Sequence, residues 1–327
     1  MGNVLYLVVP CYNEEKVLHA TAKRLGEKMR ELAGTGKISN AGKIVFIDDG
    51  SRDGTWGIIE QLCRSEDRMF AGVKLSRNRG HQNALYAGLM TVKDEADMVI
   101  SIDADLQDDI DAVDKMVDDY INGSDVVYGV RGDRKTDTFF KRATAQGFYR
   151  MLSALGCDVV FNHADYRLMS SRVLQALSEY GEQGLYLRGI IPMLGYKSSV
   201  VQYVRGVREA GESKYPLRRM LTLAFDGITA LSLRPLRIVT LAGAFMLAVA
   251  AALLVYAIAA FCMGKPSLRL KILMFSNWAV GGIITLSLGI VGEYVGRTYM
   301  ETKRRPRYGV EKCIGIRNGE DELGVRS

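Results

Sequence analysis

Two long runs without charged residues, both in the carboxyl-terminal third, constrain the fold of this chain most. Residues 238–262 contain no Asp, Glu, Lys or Arg over 25 positions, and residues 272–292 contain none over 21. A helix of about 20 apolar residues is long enough to cross the hydrocarbon core of a bilayer. We therefore expect two membrane spans, at about 238–262 and 272–292, joined by a short turn into a hairpin.

The charges around these runs predict which side of the membrane the rest of the chain occupies. A hairpin leaves both of its ends on one side, and basic residues are enriched on the cytosolic flanks of membrane spans. Bases in the turn, Lys265, Arg269 and Lys271, weaken this contrast without reversing it. Outside the turn, bases precede and follow the hairpin at Arg218, Arg219, Arg234, Arg237, Arg297, Lys303, Arg304, Arg305 and Arg307. We expect the remaining parts to lie on the cytosolic face of the plasma membrane.

The chain is therefore expected to have four consecutive parts. Residues 1–214 form a cytosolic domain, and residues 237–297 form the hairpin. Between them, the amphipathic pattern of 215–236 predicts a helix lying at the membrane surface. The alternative for this segment is a helix packed in the core of the soluble domain. Residues 298–327 are expected to form a basic cytosolic tail.

Composition excludes several other classes of protein. The formal net charge is +6, but no nucleic-acid-binding motif accompanies the bases, so a nucleic-acid partner is not expected. Five cysteines in odd number, without metal-ligand spacing, are typical of reduced thiols and not of a disulfide framework. The first apolar run, 4–9, is too short to be the core of a signal peptide. The amino-terminal domain is therefore expected to stay in the cytosol.

From residue 1 to about residue 110, short β-prone apolar runs alternate with amphipathic helical stretches. This alternation is typical of βαβ units in a parallel sheet. A helix is also predicted at 139–155. The predicted strands lie at 4–9, 43–47, 72–75, 98–102, 125–130 and 198–204. The pattern predicts an α/β domain with a mostly parallel sheet.

Each of the first four predicted strands ends in a polar cluster. These clusters lie at 10–15, 48–51, 76–79 and 103–108. In open α/β sheets, ligands bind outside the carboxyl ends of the strands. The order of the elements therefore predicts one crevice that contains all four clusters.

The strongest signal for chemistry is a pair of carboxylates after the fourth strand, Asp103 and Asp105. Mg²⁺ or Mn²⁺ is commonly held by one or two carboxylates together with substrate phosphates, and Gln107 offers a further oxygen. His81, near a predicted helix start, is interpreted as structural and not as a general base. A solvated acidic loop is the alternative for the carboxylate pair, but its position in the crevice favours a metal site that bridges a diphosphate.

The loops after the first two strands predict the walls of this crevice. Asp49 is expected to pair with a base or a ribose, although the run 48–51 is equally typical of a capped turn between a strand and a helix. Pro10, Tyr12 and Glu14 are expected to form the opposite wall. There Tyr12 either stacks on the base or packs in the core. Together the two loops predict a nucleotide site.

These polar motifs carry a resemblance to a known family. Residues 8–15, 46–55, 75–82 and 102–108 read VVPCYNEE, FIDDGSRDGT, LSRNRGHQ and IDADLQD. In this order they resemble the motifs of glycosyltransferase family 2, and more narrowly its polyprenyl-phosphate glycosyltransferase branch, which includes the bactoprenol glucosyltransferases and dolichol-phosphate mannosyltransferase. The resemblance continues through 141–142, 165–167, 208–215 and 292–297. It covers almost the whole chain, without the last dozen or so residues.

The resemblance implies a GT-A fold, which has a Rossmann-like, mostly parallel sheet, and transfer with inversion at the anomeric carbon. It implies catalytic roles for Asp105, Asp165 and Arg131. It implies nucleotide contacts at Pro10, Tyr12, Glu14, Ile47, Asp49 and Asp103, Mg²⁺ or Mn²⁺ at Asp103, Asp105 and Gln107, and acceptor phosphate at Arg208, Ser213 and Lys214. Because a phosphate monoester is already anionic near neutral pH, we expect Asp165 to orient the acceptor more than to deprotonate it.

Together these features predict transfer of glucose from UDP-glucose to undecaprenyl phosphate at the cytosolic face of the bacterial inner membrane. The β-linked product would serve cell-envelope glycan modification. Mannose or 4-deoxy-4-formamidoarabinose donors fit the same motifs. A non-enzymatic carrier-lipid translocator or scaffold is the alternative from another class. The resemblance also suggests a homo-oligomer, in the form of a tetramer.

Overall fold

The computed structural model describes residues 2–65, 68–105, 107–132, 163–182, 186–203 and 267–316, with scattered positions between 239 and 263. These residues belong to two compact units. One unit contains the described residues up to 203 and those from 306 onward, and the other contains the described residues from 239 to 305. The first unit is therefore built from two segments that are far apart in the sequence.

Strands and helices alternate along the first unit. Its strands are β1 (Leu5–Cys11), β2 (Lys43–Asp48), β3 (Phe70–Leu75), β4 (Met98–Ser101), β5 (Val126–Arg131), β6 (His163–Ser170), β7 (Ser198–Tyr203) and β8 (Val310–Ile314). Its helices are α1 (Leu18–Gly34), α2 (Thr55–Arg64), α3 (His81–Val92), α4 (Ala112–Ile121), α5 (Ser171–Ser178) and α6 (Leu187–Met193). The second unit contains α7 (Ser267–Thr302).

All eight strands belong to one sheet, in the order β7-β5-β6-β4-β1-β2-β3-β8. The pairs β1–β2, β1–β4, β2–β3 and β5–β7 are parallel. The pairs β4–β6, β5–β6 and β3–β8 are antiparallel. This confirms the predicted Rossmann-like, mostly parallel sheet of the GT-A type.

The sheet lies between two layers of helices, so β1 at its centre is buried along its whole length. Because successive side chains of a strand point to opposite faces, Leu5 and Leu7 join the core beneath α1, α2 and α4, while Val8 joins the core beneath α3, α5 and α6. Gly88 allows α3 to lie close to the sheet, since a Cβ there would be 2.6 Å from Cγ1 of Val8. Because helices cover both faces of the sheet, a ligand can approach it at the edge where the strands end.

Two strands of the sheet were not predicted. β6 contains Asp165 and Arg167, and β8 contains Glu311 and Lys312, so neither has the apolar run that predicts a strand. β8 lies within the part predicted as a basic tail, 298–327, yet it pairs with β3 at the edge of the sheet. The end of the chain thus contributes to the domain that its beginning forms.

The second unit contains one candidate for a membrane span among the described residues. Helix α7 is 36 residues long, and its segment Ala279–Thr302 is apolar enough to cross a bilayer, with a mean hydropathy of 1.5. The predicted hairpin of two spans is therefore not confirmed. The residues described between 239 and 259 are helical. Other residues of the first predicted span, and the predicted helices at 139–155 and 215–236, lie outside the described residues.

Candidate active site

The carboxyl ends of β1, β2 and β4 lie side by side because these strands are parallel. β6 runs antiparallel to β4, so its amino-terminal end reaches the same edge of the sheet. Ser101 pairs with Arg167, and continuing this register places Asp103 opposite Asp165. The predicted crevice therefore also receives side chains from a strand that the sequence analysis missed.

The loops after β1 and β2 are held together by hydrogen bonds between side chains and main chain. Asn13 has a left-handed backbone (φ 56°); its N–H donates to Oγ of Ser51 at 3.0 Å, and its Oδ1 accepts from the N–H of Arg52 at 2.8 Å. The N–H of Gly54 donates to Oε2 of Glu15 at 2.8 Å. These reciprocal bonds fix the two loops as one wall of the crevice.

Asp49 fixes a third loop, the one between β3 and α3. Its two carboxylate oxygens accept hydrogen bonds from the main-chain N–H groups of Arg79, at 2.6 Å, and Gly80, at 2.9 Å. Burial raises the pKa of Asp49 even though these two bonds lower it. Gly50 (φ 68°) permits the close approach, because a Cβ there would lie 2.6 Å from the main-chain nitrogen of Asn78. The predicted contact of Asp49 with a nucleotide stays a prediction.

The other predicted nucleotide residues lie on the same wall with different exposure. Tyr12 is exposed at the end of β1, where a base could stack on its ring. The N–H of Glu14 donates to Oγ1 of Thr55 at 2.9 Å, which orients the start of the loop. Pro10 is buried within β1, and Ile47 is fully buried in the core beneath α3. Their nucleotide contacts stay predictions, and Tyr12 offers the largest accessible surface among them.

The acidic loop after β4 brings the predicted metal ligands to the edge of the sheet. The main-chain N–H of Gln107 donates to Oδ1 of Asp105 at 3.2 Å, and Gln107 is buried. Burial raises the pKa of Asp103 to about 6; Asp108 and other nearby carboxylates add to the effect, and His81 opposes it. This concentration of negative charge and oxygen atoms suits a hard divalent cation.

Asp165 is the centre of a cluster of charges. Its Oδ1 accepts from Nη2 of Arg167 at 2.6 Å, and Arg188 donates to both of its oxygens, at 3.1 and 2.9 Å. Nε2 of His81 lies 3.5 Å from its Oδ2. Burial alone would raise the pKa of Asp165, but these three partners hold it well below its usual range. Asp165 is therefore a stable anion and a poor proton acceptor at neutral pH.

His81 connects this cluster to the acidic loop. Its Nε2 lies 3.7 Å from Oδ1 of Asp103 as well as 3.5 Å from Oδ2 of Asp165. Burial lowers the pKa of His81, but the two carboxylates outweigh this and leave it raised. From its position at a helix start, His81 is predicted to be structural. In the structure its Nε2 lies near two carboxylates of the candidate site, those of Asp103 and Asp165.

Arg188 is a site residue that the sequence analysis missed. It lies at the start of α6, 23 residues after its partner Asp165. The residue before it, Leu187, donates its N–H to Oε1 of Gln82 at 3.3 Å, which ties α6 to the start of α3. No local motif marks Arg188. Only the structure shows that Asp165 is buried in a strand, where a carboxylate requires cationic partners.

Four predicted site residues are described in part or not at all. Arg131 is the last residue of β5, and its side chain lies outside the description. The predicted acceptor residues Arg208, Ser213 and Lys214 lie outside the described residues altogether. Their roles stay predictions.

Comparison with known proteins now identifies the family. The family model of glycosyl transferase family 2 matches residues 6–178, from β1 to the end of α5. The chain belongs to this family. It is a glycosyltransferase, and the matched region contains the acidic loop, His81, Asp165 and Arg167, whereas Arg188 lies just beyond it.

Relatives of this glycosyltransferase match along nearly its whole length. An uncharacterized glycosyltransferase, YkoT, of Bacillus subtilis (strain 168) is 46% identical over 94% of this chain and 91% of its own. The prophage bactoprenol glucosyl transferase homolog of Escherichia coli (strain K12) is 38% identical over 94% of this chain and 98% of its own. The bactoprenol glucosyl transferase of Shigella phage SfX is 37% identical over 92% of this chain and 97% of its own. The similarity thus extends beyond the family 2 domain into the apolar region.

Proposed function

We propose that this glycosyltransferase moves glucose from UDP-glucose to undecaprenyl phosphate at the cytosolic face of the inner membrane. The acceptor class is inferred from similarity to bactoprenol glucosyl transferases that spans both the sheet domain and the apolar region. The observation that carries the proposal is the pairing of two opposite electrostatic environments in one crevice. Asp103 has a raised pKa among carboxylates, and Asp165 has a lowered pKa among cations.

The first environment suits a divalent metal ion. Asp103, Asp105 and Gln107 are the residues that would hold Mg²⁺ or Mn²⁺, and a bound ion would neutralise charge on the departing nucleoside diphosphate. Among the described residues, no three His, Cys, Asp or Glu side chains form a ready-made metal cluster. Two carboxylates would leave the other positions of a divalent ion for oxygens of the substrate diphosphate.

The second environment suits an anionic acceptor. A phosphate monoester already carries negative charge near neutral pH, so its oxygen can attack the anomeric carbon without a strong base. Asp165, with its lowered pKa, is accordingly suited to hold cationic side chains around the acceptor and not to remove a proton. Attack from the face opposite the leaving group inverts the anomeric carbon, so an α-linked donor gives a β-linked product.

The pairing of β3 with β8 supports a topology in which the chain crosses the membrane an even number of times. β3 and β8 pair in one sheet, so the segments before and after the apolar region lie on the same side of the membrane. A single crossing by α7 would separate them. We therefore propose that residues 238–262 provide a second crossing, and that the sheet domain is cytosolic. Reporters fused after Ser39 and Ser327 should both report the cytosol, whereas opposite locations would contradict the two crossings.

The decisive test is a transfer assay with the purified full-length protein in detergent. It combines undecaprenyl phosphate with a panel of UDP-glucose, a mannose donor and a 4-deoxy-4-formamidoarabinose donor, and it scores lipid-linked sugar with and without chelator. We expect product from UDP-glucose, lost on chelation. Product from only one of the other donors would mean that its sugar, and not glucose, is transferred. The site residues themselves do not favour glucose over the other sugars. Absence of product from every donor would reject the proposed acceptor class.

A further inference from the structure

We propose that Arg188 binds a phosphate oxygen of a substrate in this site, and that Asp165 positions it. The inference deepens the proposed function and depends on it, since it names a residue that recognises phosphate in the same crevice. Two substrates carry this chemistry, namely the diphosphate of the donor and the phosphate monoester of the acceptor. The experiment below is designed to separate them.

The first support is the geometry of the Arg188 side chain. Its Nε and Nη2 donate to the two oxygens of Asp165 at 3.1 and 2.9 Å, which is the two-point contact that a planar guanidinium makes with a carboxylate. This contact fixes the plane of the guanidinium in advance. The side chain still has 39% of its surface exposed. Arg188 is thus both preorganised and partly accessible to solvent.

The second support is the balance of charge around Asp165. Arg167 is only 1% exposed and donates to Asp165 at 2.6 Å, so this carboxylate already balances a fully buried guanidinium. A buried arginine without such a partner would be costly. Arg188 adds a second positive charge to a pair that is already neutral. Among these three side chains the positive charges outnumber the negative one, which favours an anion close to Arg188.

The third support is the position of Arg188 relative to the acidic loop. Asp165, its partner, and Asp103 both lie near the same ring nitrogen of His81, at 3.5 and 3.7 Å. The bond from the N–H of Leu187 to Gln82 ties the start of α6 to the residue next to His81. The Asp165–Arg188 pair and the predicted metal-binding loop therefore both lie close to one histidine nitrogen. A substrate that carries phosphate and binds a metal ion, or a donor and an acceptor bound side by side, would contact both Arg188 and the acidic loop.

A matched arginine lies at the opposite end of β6. Arg172 pairs with Asp125, which also accepts from the hydroxyl of Ser170, and its side chain is 67% exposed. This pair lies at the amino ends of the parallel strands, away from the crevice. Replacing Arg172 therefore removes an arginine–aspartate contact of the same kind without touching the site.

The experiment compares Arg188→Gln, Arg188→Lys and Arg172→Gln in the full-length protein in detergent. Kinetics with UDP-glucose and undecaprenyl phosphate give KM and kcat, calorimetry gives the affinity for UDP with Mn²⁺, and thermal melting reports folding. We expect Arg188→Gln to lower kcat/KM roughly tenfold or more, the usual loss when a charged hydrogen bond to substrate is removed. Arg188→Lys should recover part of it, because the charge remains but the two-point contact is lost. Arg172→Gln should stay within about twofold.

The affinity for UDP and the KM for undecaprenyl phosphate distinguish the two substrates. Weaker UDP binding by Arg188→Gln assigns Arg188 to the donor diphosphate, whereas a raised KM for undecaprenyl phosphate with unchanged UDP affinity assigns it to the acceptor. If Arg188→Gln melts normally and behaves like Arg172→Gln in both arms, the proposal is wrong and Arg188 only stabilises Asp165. If Arg188→Gln does not fold, the same comparison is made with Arg188→Lys.

Failure of the proposed function would be distinguishable from failure of this inference. If the wild-type protein transfers no sugar to undecaprenyl phosphate, the proposed function is rejected. Binding of inorganic pyrophosphate with Mn²⁺ then tests Arg188 without any transfer reaction. Weaker binding by Arg188→Gln than by Arg172→Gln supports the inference, and equal binding overturns it.

Discussion

One wall of the candidate site, which we call the amide side, consists of the loops 11–15, 48–55 and 76–80. Its acidic and amide side chains accept hydrogen bonds from main-chain N–H groups, as Asp49 does from Arg79 and Gly80. The ionic side is held differently. It comprises the acidic loop 103–108, His81, Asp165, Arg167 and Arg188, and its members meet through side-chain charges. One crevice is thus bounded by a wall of backbone contacts and a wall of ion pairs.

This difference suggests a division of labour between scaffold and chemistry. Main-chain N–H groups cannot change charge, and they hold the amide side in one geometry. Ion pairs respond to any charged group that enters, so the ionic side is suited to stabilise charge that develops during transfer. Substitutions on the ionic side should therefore reduce activity more than stability. Substitutions on the amide side should do the reverse.

The largest expected effect is the loss of activity in Asp105→Asn. Removing one charge from the acidic loop should lower transfer by about 100-fold or more, because a neutral amide binds a divalent ion poorly. The melting temperature should change little, since Asp105 is not buried. Asp111→Asn, an exposed aspartate just after the same loop, is the control and should retain activity. Normal turnover of Asp105→Asn in chelator would contradict the metal site.

The sequence predicted the amide side better than the ionic side. The run 48–51 has the local signature of a turn, and the N–H of Ser51 donates to Oδ1 of Asp48 at 3.1 Å, although helix α2 begins at Thr55 and its N-cap, Gly54, has no side-chain cap. The acidic pair 103 and 105 was also apparent, because it follows a strand directly. Arg188 was not apparent, since its contact with Asp165 arises from the packing of α6 against β6 and α3. Partners brought together by tertiary packing leave no signal at fixed spacing.

The same reason explains which strands were predicted. β1 to β4 are buried on both faces and appear as apolar runs, which the hydropathy pattern detects. β8 is an edge strand in which the charged residues Glu311 and Lys312 are exposed, so its sequence resembles a tail. Lys312 contacts Glu60 of α2, a residue far away in the sequence. Only the folded sheet reveals that β8 completes the domain.

The next largest effect tests whether β8 supports the amide side. Ile316, just after β8, is fully buried in the core beneath α3. Ile316→Ala should lower the free energy of unfolding of the sheet domain by about 2–5 kcal/mol, the usual cost of truncating a buried isoleucine. Val310→Ala, in the exposed position at the start of the same strand, should cost much less. Equal melting temperatures for the two variants would show that the end of the chain does not stabilise the sheet.

A smaller effect is expected for Asp49→Asn on the amide side. One oxygen becomes an amide group that faces the N–H of Arg79 or Gly80, so one buried hydrogen bond is lost. The free energy of unfolding should fall by about 1–3 kcal/mol. Asp94→Asn, at an exposed position, is the matched control and should be nearly neutral. If Asp49→Asn instead reduced UDP binding with unchanged stability, Asp49 would belong to nucleotide recognition more than to the scaffold.

The smallest expected effect is a difference in how the two sides respond to pH. The pKa of Asp165 is lowered, so its contribution to stability is present above the unfolded pKa of about 4 and is lost as pH falls below it. The pKa of Asp49 is raised, so the folded state binds its proton more tightly than the unfolded chain does. Its contribution is present below about pH 4 and is lost as pH rises from there toward the folded pKa.

The two pH responses therefore occupy separate windows and have opposite signs. In thermal melts from pH 3 to pH 6, Asp165→Asn should flatten the rise of stability with pH below about pH 4, and Asp49→Asn should remove a fall above it. Each substitution changes the number of protons taken up on folding by at most one, so the slope of the free energy of unfolding changes by at most ~1.4 kcal/mol per pH unit. Because each variant leaves the other carboxylate in place, each serves as the control for the other. Identical pH profiles for the two variants would mean that the walls of the crevice do not differ in their electrostatics, and that the distinction between the amide side and the ionic side is only geometric.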